Sequence, residues 1–125
     1  MPTPKETLDE LLEMSSSIRN AVLARGEGEV LASTLHSPEA EKSMTSAARD
    51  LITSAATAAE EMGKPRLTQM FIETRSGCMF VAMGENDTWL AAVTSGDPTV
   101  GLVLYDINTA LKTVLELEAA GEYSK

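Results

Sequence analysis

The apolar positions of this chain alternate between two spacings, one typical of helices and the other typical of strands. The opening segment, from Thr3 to Glu6, has the form of a capping box with proline at the first helical position. Leu8, Leu11 and Leu12 then share one helical face, which predicts a short first helix ending near residue 16. Two partly alternating, β-branched stretches follow at residues 18–24 and 30–35, and the glycine-containing turn between them predicts a β-hairpin.

The middle of the chain predicts a long helix with an unusually wide apolar face. Ser37, Pro38 and Glu39 are typical of a helix start, because serine caps the free amides and the positive end of the helix dipole favours an acid. Apolar residues then recur at three- and four-residue steps until Gly63 and Pro65 end the helix. The main stripe consists of Met44, Ala48, Leu51, Ala55, Ala58 and Met62, and Ala47, Ile52, Ala56 and Ala59 widen it. Such a face can pack on its own sheet and still allow a second helix to approach closely.

Three further strands are predicted at residues 67–75, 78–83 and 88–95, separated by Ser76-Gly77 and by a polar turn at residues 84–87. Consecutive hairpins of this kind form an antiparallel meander. The strand at 78–83 is apolar on both faces, although an antiparallel sheet needs only one apolar face. We therefore expect helices on both sides of the sheet.

The last segment has the composition of a strand at residues 100–105 but keeps a helical spacing over a longer stretch. Val100, Leu104 and Ile107 continue this spacing, and Asp97-Pro98 has the form of a cap and first turn, so we predict a helix over residues 98–120. The whole chain then reads helix, two strands, helix, three strands, helix. This order predicts one α+β domain over residues 1–125, with a five-stranded antiparallel sheet between helices.

Composition and charge exclude several classes of function. The chain has 125 residues, 43% of them apolar, and a formal net charge of -9 at pH 7. Its ten basic residues are scattered, so we expect neither nucleic-acid binding nor attraction to an anionic membrane. The single cysteine, Cys78, indicates a reducing compartment, and no apolar stretch approaches the roughly 20 residues that cross a bilayer. We expect a cytoplasmic protein without direct membrane insertion.

No arrangement of reactive residues predicts catalysis. Gly63-Lys64-Pro65 lacks the upstream glycine and the following Ser or Thr of a phosphate-binding loop, and it follows a helix. His36 and Cys78 are the only candidates for a nucleophilic dyad, but the sequence offers no group to orient the histidine. A zinc site within one chain would need two carboxylates in addition. The acidic residues fit solvated helix faces, so we expect no catalytic, cofactor-binding or metal-binding residue and no enzyme activity.

The ensemble of these features resembles the roadblock/dynein-light-chain family. The alanine-rich middle helix leads through Glu61-Met62-Gly63 to a strand of the form Leu67-Thr68-Gln69-Met70-Phe71-Ile72-Glu73. A short Ser76-Gly77 turn and the strand Cys78-Met79-Phe80-Val81-Ala82-Met83-Gly84 follow. The most telling likeness is the final helix, which opens with Gly101-Leu102-Val103 after Gly96-Asp97-Pro98.

This resemblance implies a fold related to the longin and profilin-like folds, and an assembly that composition alone does not indicate. Members of the family form homodimers or heterodimers in which third strands pair edge to edge and middle helices lie side by side. In this chain the implied dimer interface comprises Ala48, Leu51, Ala55, Gln69, Phe71 and Glu73. The partner would be a second copy or a paralogous roadblock chain. The family has no common catalytic residue.

The resemblance also implies a function, for which alternatives remain open. Family members serve as scaffolds for small GTPases, as bacterial GTPase regulators and as dynein-associated light chains. We therefore expect a dimerising adaptor or regulator of a small Ras-like GTPase that either holds the GTPase in place or stimulates hydrolysis. A profilin-like or PAS-like module that binds small molecules is the alternative, and a motor light chain is a second one.

Overall fold

The computed structural model describes residues 3–121, which contain three helices and five strands. Their bounds are α1 Pro4–Met14, β1 Ile18–Arg25, β2 Glu29–Ser33, α2 Pro38–Glu61, β3 Gln69–Thr74, β4 Gly77–Met83, β5 Thr88–Ser95 and α3 Val100–Ala119. The predicted order and the α+β fold class are confirmed. The first two and last four residues of the domain expected over 1–125 lie outside the described residues. No helix within 3–121 is long and apolar enough to cross a bilayer.

The five strands form one antiparallel sheet in the order β2-β1-β5-β4-β3. The first hairpin joins the meander through β1 and β5, whose register places Val22 opposite Ala91 and Leu23 opposite Leu90. In that order β1, β5 and β4 lie inside the sheet, and five of the eight residues of β1 and six of the eight of β5 are buried. Strands β2 and β3 therefore form the two edges of the sheet.

Both faces of the sheet are covered, as predicted, and each has its own hydrophobic cluster. On one face α1 and α3 pack over residues that include Leu23, Phe80 and Leu90. On the other face α2 contributes Ala48 and Ile52 to a cluster that also contains Val22, Ala24, Val81, Trp89 and Ala91. Among the described residues one helix, α2, lies on this face and covers it only in part, so several methionines beside it are only half-buried.

The predicted helix starts at Thr3 and Ser37 are confirmed in atomic detail. The Thr3 hydroxyl accepts from the Glu6 amide at 3.1 Å, and the Thr3 amide donates to the Glu6 carboxylate at 2.9 Å. The Ser37 hydroxyl accepts from the Ala40 amide at 3.2 Å. Both hydroxyls satisfy amide groups that have no partner within the helix.

Several predicted boundaries differ from the structure by one or two residues, among them those of the first helix, strand β3 and the last helix. The first helix ends at Met14, because Ser15 is already extended and serves as its C-cap. Strand β3 begins two residues later than predicted, since Arg66 has a φ of 76° and interrupts the extended approach to it. Helix α3 begins at Val100 with Thr99 as N-cap, so the Asp97-Pro98 cap is wrong. The first bond of α3 runs from the Val103 amide to the Thr99 carbonyl at 3.0 Å, beyond the proline.

Candidate protein-binding surface

Strand β3 offers an open sheet edge, because it pairs with β4 on one side and no strand of residues 3–121 lies on the other. The Thr68 carbonyl accepts from the Met83 amide at 2.9 Å and so points toward β4. In an antiparallel ladder successive residues direct their backbone groups to opposite sides. The amides and carbonyls of Gln69, Phe71 and Glu73 therefore point away from β4. Such an edge can accept a further strand.

An aromatic ring is fixed at this edge, on the face of the sheet that α3 covers. Phe71 lies opposite Phe80 in the β3–β4 ladder, and the two rings stack with centroids 5.4 Å apart and planes 14° apart. Phe80 is fully buried, whereas Phe71 remains 43% exposed. One side of the Phe71 ring is thus held by the core while the rest is exposed at the open edge.

The amide of Gln69, on the same face, has a defined orientation. The Asn108 amide nitrogen donates to the Leu104 carbonyl at 2.8 Å and to the Gln69 side-chain oxygen at 3.0 Å. Because a backbone carbonyl only accepts, the bond to Leu104 fixes which end of the Asn108 amide faces Gln69. Gln69 consequently turns its oxygen toward α3, and its NH₂ group is left as a donor at the sheet edge.

The helix α2 presents an uncharged flank toward the same edge. A methyl group added at Gly28 would lie 3.5 Å from Thr45 Cγ2, so the Thr45 side of α2 faces the β1–β2 turn. Thr45 is buried with Ala48 and Ile52 in the stripe of α2 that faces the sheet, and it forms the border of that stripe toward the β1–β2 turn. The flank beyond the other border, at Ala48, therefore lies toward β3. We call it the open flank, and it comprises Ala47, Leu51, Ser54, Ala55, Ala58 and Met62. These six positions carry no charge, they are exposed or half-buried, and five of them are apolar.

The structure brings five of the six interface residues predicted from the sequence to this surface. Leu51 and Ala55 lie half-buried on the open flank, and Gln69, Phe71 and Glu73 are exposed along β3. The sixth, Ala48, is 0% exposed and packs into the cluster beneath α2. It has no surface to offer a second chain, because it lies on the side of the helix that faces its own sheet.

Sequence reasoning missed two residues of β3 that lie on the α2 side. Met70 pairs with Val81 and Ile72 pairs with Met79, so both point to the face that α2 covers only in part. Both side chains are half-buried in the single chain. The two-residue alternation of the strand carries this signal, because it separates Met70 and Ile72 from Phe71.

The candidate reactive residues occupy different surroundings. Cys78 is buried in the cluster under α1 and α3, while His36 is exposed in the segment between β2 and α2. No hydrogen bond joins the two side chains in the part of the chain that the structure describes. Among residues 3–121 no group of three or more His, Cys, Asp and Glu side chains is placed to hold a metal ion.

A cleft of about 680 Å³ opens beside the end of α3 and is lined in part by Arg25, Glu29, Glu85 and Glu118. Arg25 donates to the Glu118 carboxylate at 2.6 Å and to the Thr88 hydroxyl at 3.0 Å. Its guanidinium is therefore already engaged in tying β1 to β5 and α3. The cleft thus lies between the β1–β2 end of the sheet and the end of α3.

Comparison with known proteins points to one family. The family model described as "Roadblock/LC7 domain" matches residues 4–94, which is more than half of the chain. A crystal structure of a Roadblock/LC7 domain from Streptomyces avermitilis superposes with a TM-score of 0.86 at 19% identity, covering 94% of this chain and 99% of that one.

Two structures of proteins named MglB are also similar. The gliding protein MglB from Thermus thermophilus has a TM-score of 0.78 at 18% identity, covering 94% of this chain and 92% of its own. MglB from Myxococcus xanthus has a TM-score of 0.78 at 15% identity, covering 93% and 88%. At such identities the likeness establishes the fold. No curated protein matches the sequence of this chain.

Proposed function

Because this chain belongs to the Roadblock/LC7 domain family, we propose that it is a non-catalytic dimerising adaptor or regulator of a small Ras-like GTPase. The observation that carries the proposal is the open edge of β3 beside the uncharged open flank of α2. Both features lie on one side of the molecule. A second chain that covered the flank could also extend the sheet.

Self-association is supported by the distribution of charge. Two chains with a formal net charge of -9 repel one another, so a contact between copies requires a surface from which charges are absent. The six positions of the open flank are uncharged over about four helical turns, from Ala47 to Met62, and the exposed acids Asp50 and Glu61 border the flank next to Ser54. A two-fold axis beside β3 would bring both strand edges and both flanks together at once, as an isologous interface requires.

The GTPase partner is inferred from the family. One similar structure is described as MglB in a tetrameric arrangement, which fits a protein that assembles with copies of itself. Three further points remain predictions: homodimerisation as opposed to pairing with a paralogous roadblock chain, a cytoplasmic location, and a single domain over residues 1–125. So does the choice between holding the GTPase and stimulating its hydrolysis.

Two measurements test the proposal in sequence. Light scattering coupled to size-exclusion chromatography, over a range of protein concentrations, should give the mass of a dimer. The immobilised protein should then retain small GTPases of the same host in one nucleotide state, GTP or GDP, more than in the other. Retention of no GTPase in either state, by a protein proven to be dimeric, would refute the regulatory function and leave the dimer intact.

A further inference from the structure

The backbone of β3 restricts how two copies can pair along this edge. This inference rests on the proposed self-association. In an antiparallel pair around a two-fold axis, one residue lies opposite itself, and five registers, centred on residues 69 to 73, bring outward-pointing residues of β3 to face one another or themselves. Outward-pointing backbone groups at Gln69, Phe71 and Glu73 must face one another. Only the register centred on Phe71 uses all three, because it places Gln69 opposite Glu73 of the second copy and Phe71 opposite itself.

We propose that two copies of this chain pair in the register centred on Phe71, and that two side-chain devices on the α3 face select it. The first device is aromatic. Facing residues that exchange hydrogen bonds have Cα atoms about 5.5 Å apart, which brings their rings within stacking distance. Each Phe71 is already stacked on Phe80, so the register joins four rings across the two-fold axis. The exposed part of each Phe71 ring is thereby covered.

The second device is a polar pair between Gln69 and Glu73. Asn108 holds the Gln69 oxygen toward α3 and so leaves the Gln69 NH₂ group to donate. In the register centred on Phe71, the Glu73 carboxylate of the second copy lies directly opposite this donor. A shift to the register centred on Glu73 would instead set two carboxylates against each other, which is unfavourable for facing residues.

A cysteine scan distinguishes the five registers. In a Cys78→Ala background, each of residues 69 to 73 is replaced singly by cysteine, and the protein is oxidised mildly and analysed without reductant. Only the residue that faces itself lies within the roughly 4.4–6.8 Å between Cα atoms that a disulfide spans. We expect the dominant cross-linked dimer for Phe71→Cys. A mixture of the Gln69→Cys and Glu73→Cys proteins, which keeps Phe71, should cross-link to each other more than either does alone.

A charge exchange provides a second measurement without oxidation. Gln69→Glu places two carboxylates opposite each other twice in the dimer, so we expect dimer affinity to fall about tenfold. Adding Glu73→Gln to that variant should restore it, because each acid then faces an amide again. If the effects of Gln69→Glu and Glu73→Gln on dimer affinity simply add, the register centred on Phe71 is wrong. Dominant cross-linking at another residue would also overturn it while leaving the dimer in place, whereas a monomeric wild-type protein would contradict the proposed dimer itself.

Discussion

A single negative charge on the open flank should break the dimer while leaving the monomer folded. Ala55 lies in the second half of α2, half-buried, on the side of the helix that faces β3. In the proposed dimer the two-fold axis brings this flank against its copy, so Ala55→Glu introduces two carboxylates into a contact that carries no charge. No cation on the flank is available to pair with them.

The expected loss of dimer affinity follows from the surroundings of the glutamate in Ala55→Glu, which differ between the dimer and the monomer. Like charges brought together at an interface cost several kcal/mol, and about 3 kcal/mol corresponds to a rise of more than a hundredfold in the dimer Kd. In the monomer the longer side chain can reach water past a half-buried position, and glutamate is a good helix former. We therefore expect the free energy of unfolding of the monomer to change by less than about 1 kcal/mol.

Sedimentation velocity over a thousandfold range of concentration would measure the dimer Kd, and circular dichroism would confirm that the variants fold. Thr53→Glu is the matched control, because Thr53 is exposed about 160° away around the same helix. Ala55→Gln separates size from charge and should weaken the dimer less than Ala55→Glu. A dimer affinity for Ala55→Glu equal to that of Thr53→Glu would refute the assignment of the open flank to the interface.

Three further predictions concern stability and association. A Cβ at Gly77 would lie 2.4 Å from the Thr94 carbonyl, so Gly77→Ala should lower the free energy of unfolding in urea by about 2 kcal/mol. Gly96→Ala, where a Cβ meets nothing within 4 Å, should change it by less than about 0.5 kcal/mol. The buried Thr94 hydroxyl has no hydrogen-bond partner in the described part of the chain, so Thr94→Val should raise the melting temperature, with a gain of about 1 kcal/mol; a loss would indicate a bridging water. Two net charges of -9 roughly 30 Å apart repel by about 4 kcal/mol at 0.01 M salt and by only a few tenths of a kcal/mol at 0.15 M. Added salt should therefore lower the dimer Kd at least tenfold, whereas a rise would indicate an interface held by ion pairs.

Much of the fold was predictable because its signals are local. The capping residues Thr3 and Ser37, the glycine turn before β2 and the two-residue spacing of the later strands each specify their own element. The coverage of both faces of the sheet was predictable for the same reason, because the sequence of β4 alone shows apolar residues on both of its faces. The start of α3 was less predictable, because Asp97 and Thr99 offer competing caps only two positions apart.

The interface residues on α2 were predictable only in part, because the composition of the helix does not show which of its sides faces the sheet. Alanines occur around most of the helix, so periodicity alone could not place Ala48 inside and Ala58 outside. Only a tertiary contact, that of Thr45 with the β1–β2 turn, fixes the rotation of the helix on the sheet. In the same way, the outward direction of the backbone at Phe71 follows from the pairing of β3 with β4 and not from the strand itself.

The two edges of the sheet differ in a way that favours β3 as the one that pairs. Strand β2 has five residues, and its ladder with β1 shifts register between Leu23 and Ala24, which twists and shortens that edge. Beyond β2, the Thr34 amide still donates to the Ala21 carbonyl at 3.0 Å, but the Ala21 amide donates to the Thr34 hydroxyl at 2.9 Å in place of a backbone carbonyl. The β3–β4 ladder instead runs from Gln69 to Thr74 without a shift. The ladder is thus irregular next to the β2 edge and regular next to the β3 edge. The β3 edge also lies beside the uncharged open flank of α2. We therefore expect a second copy to extend the sheet at β3.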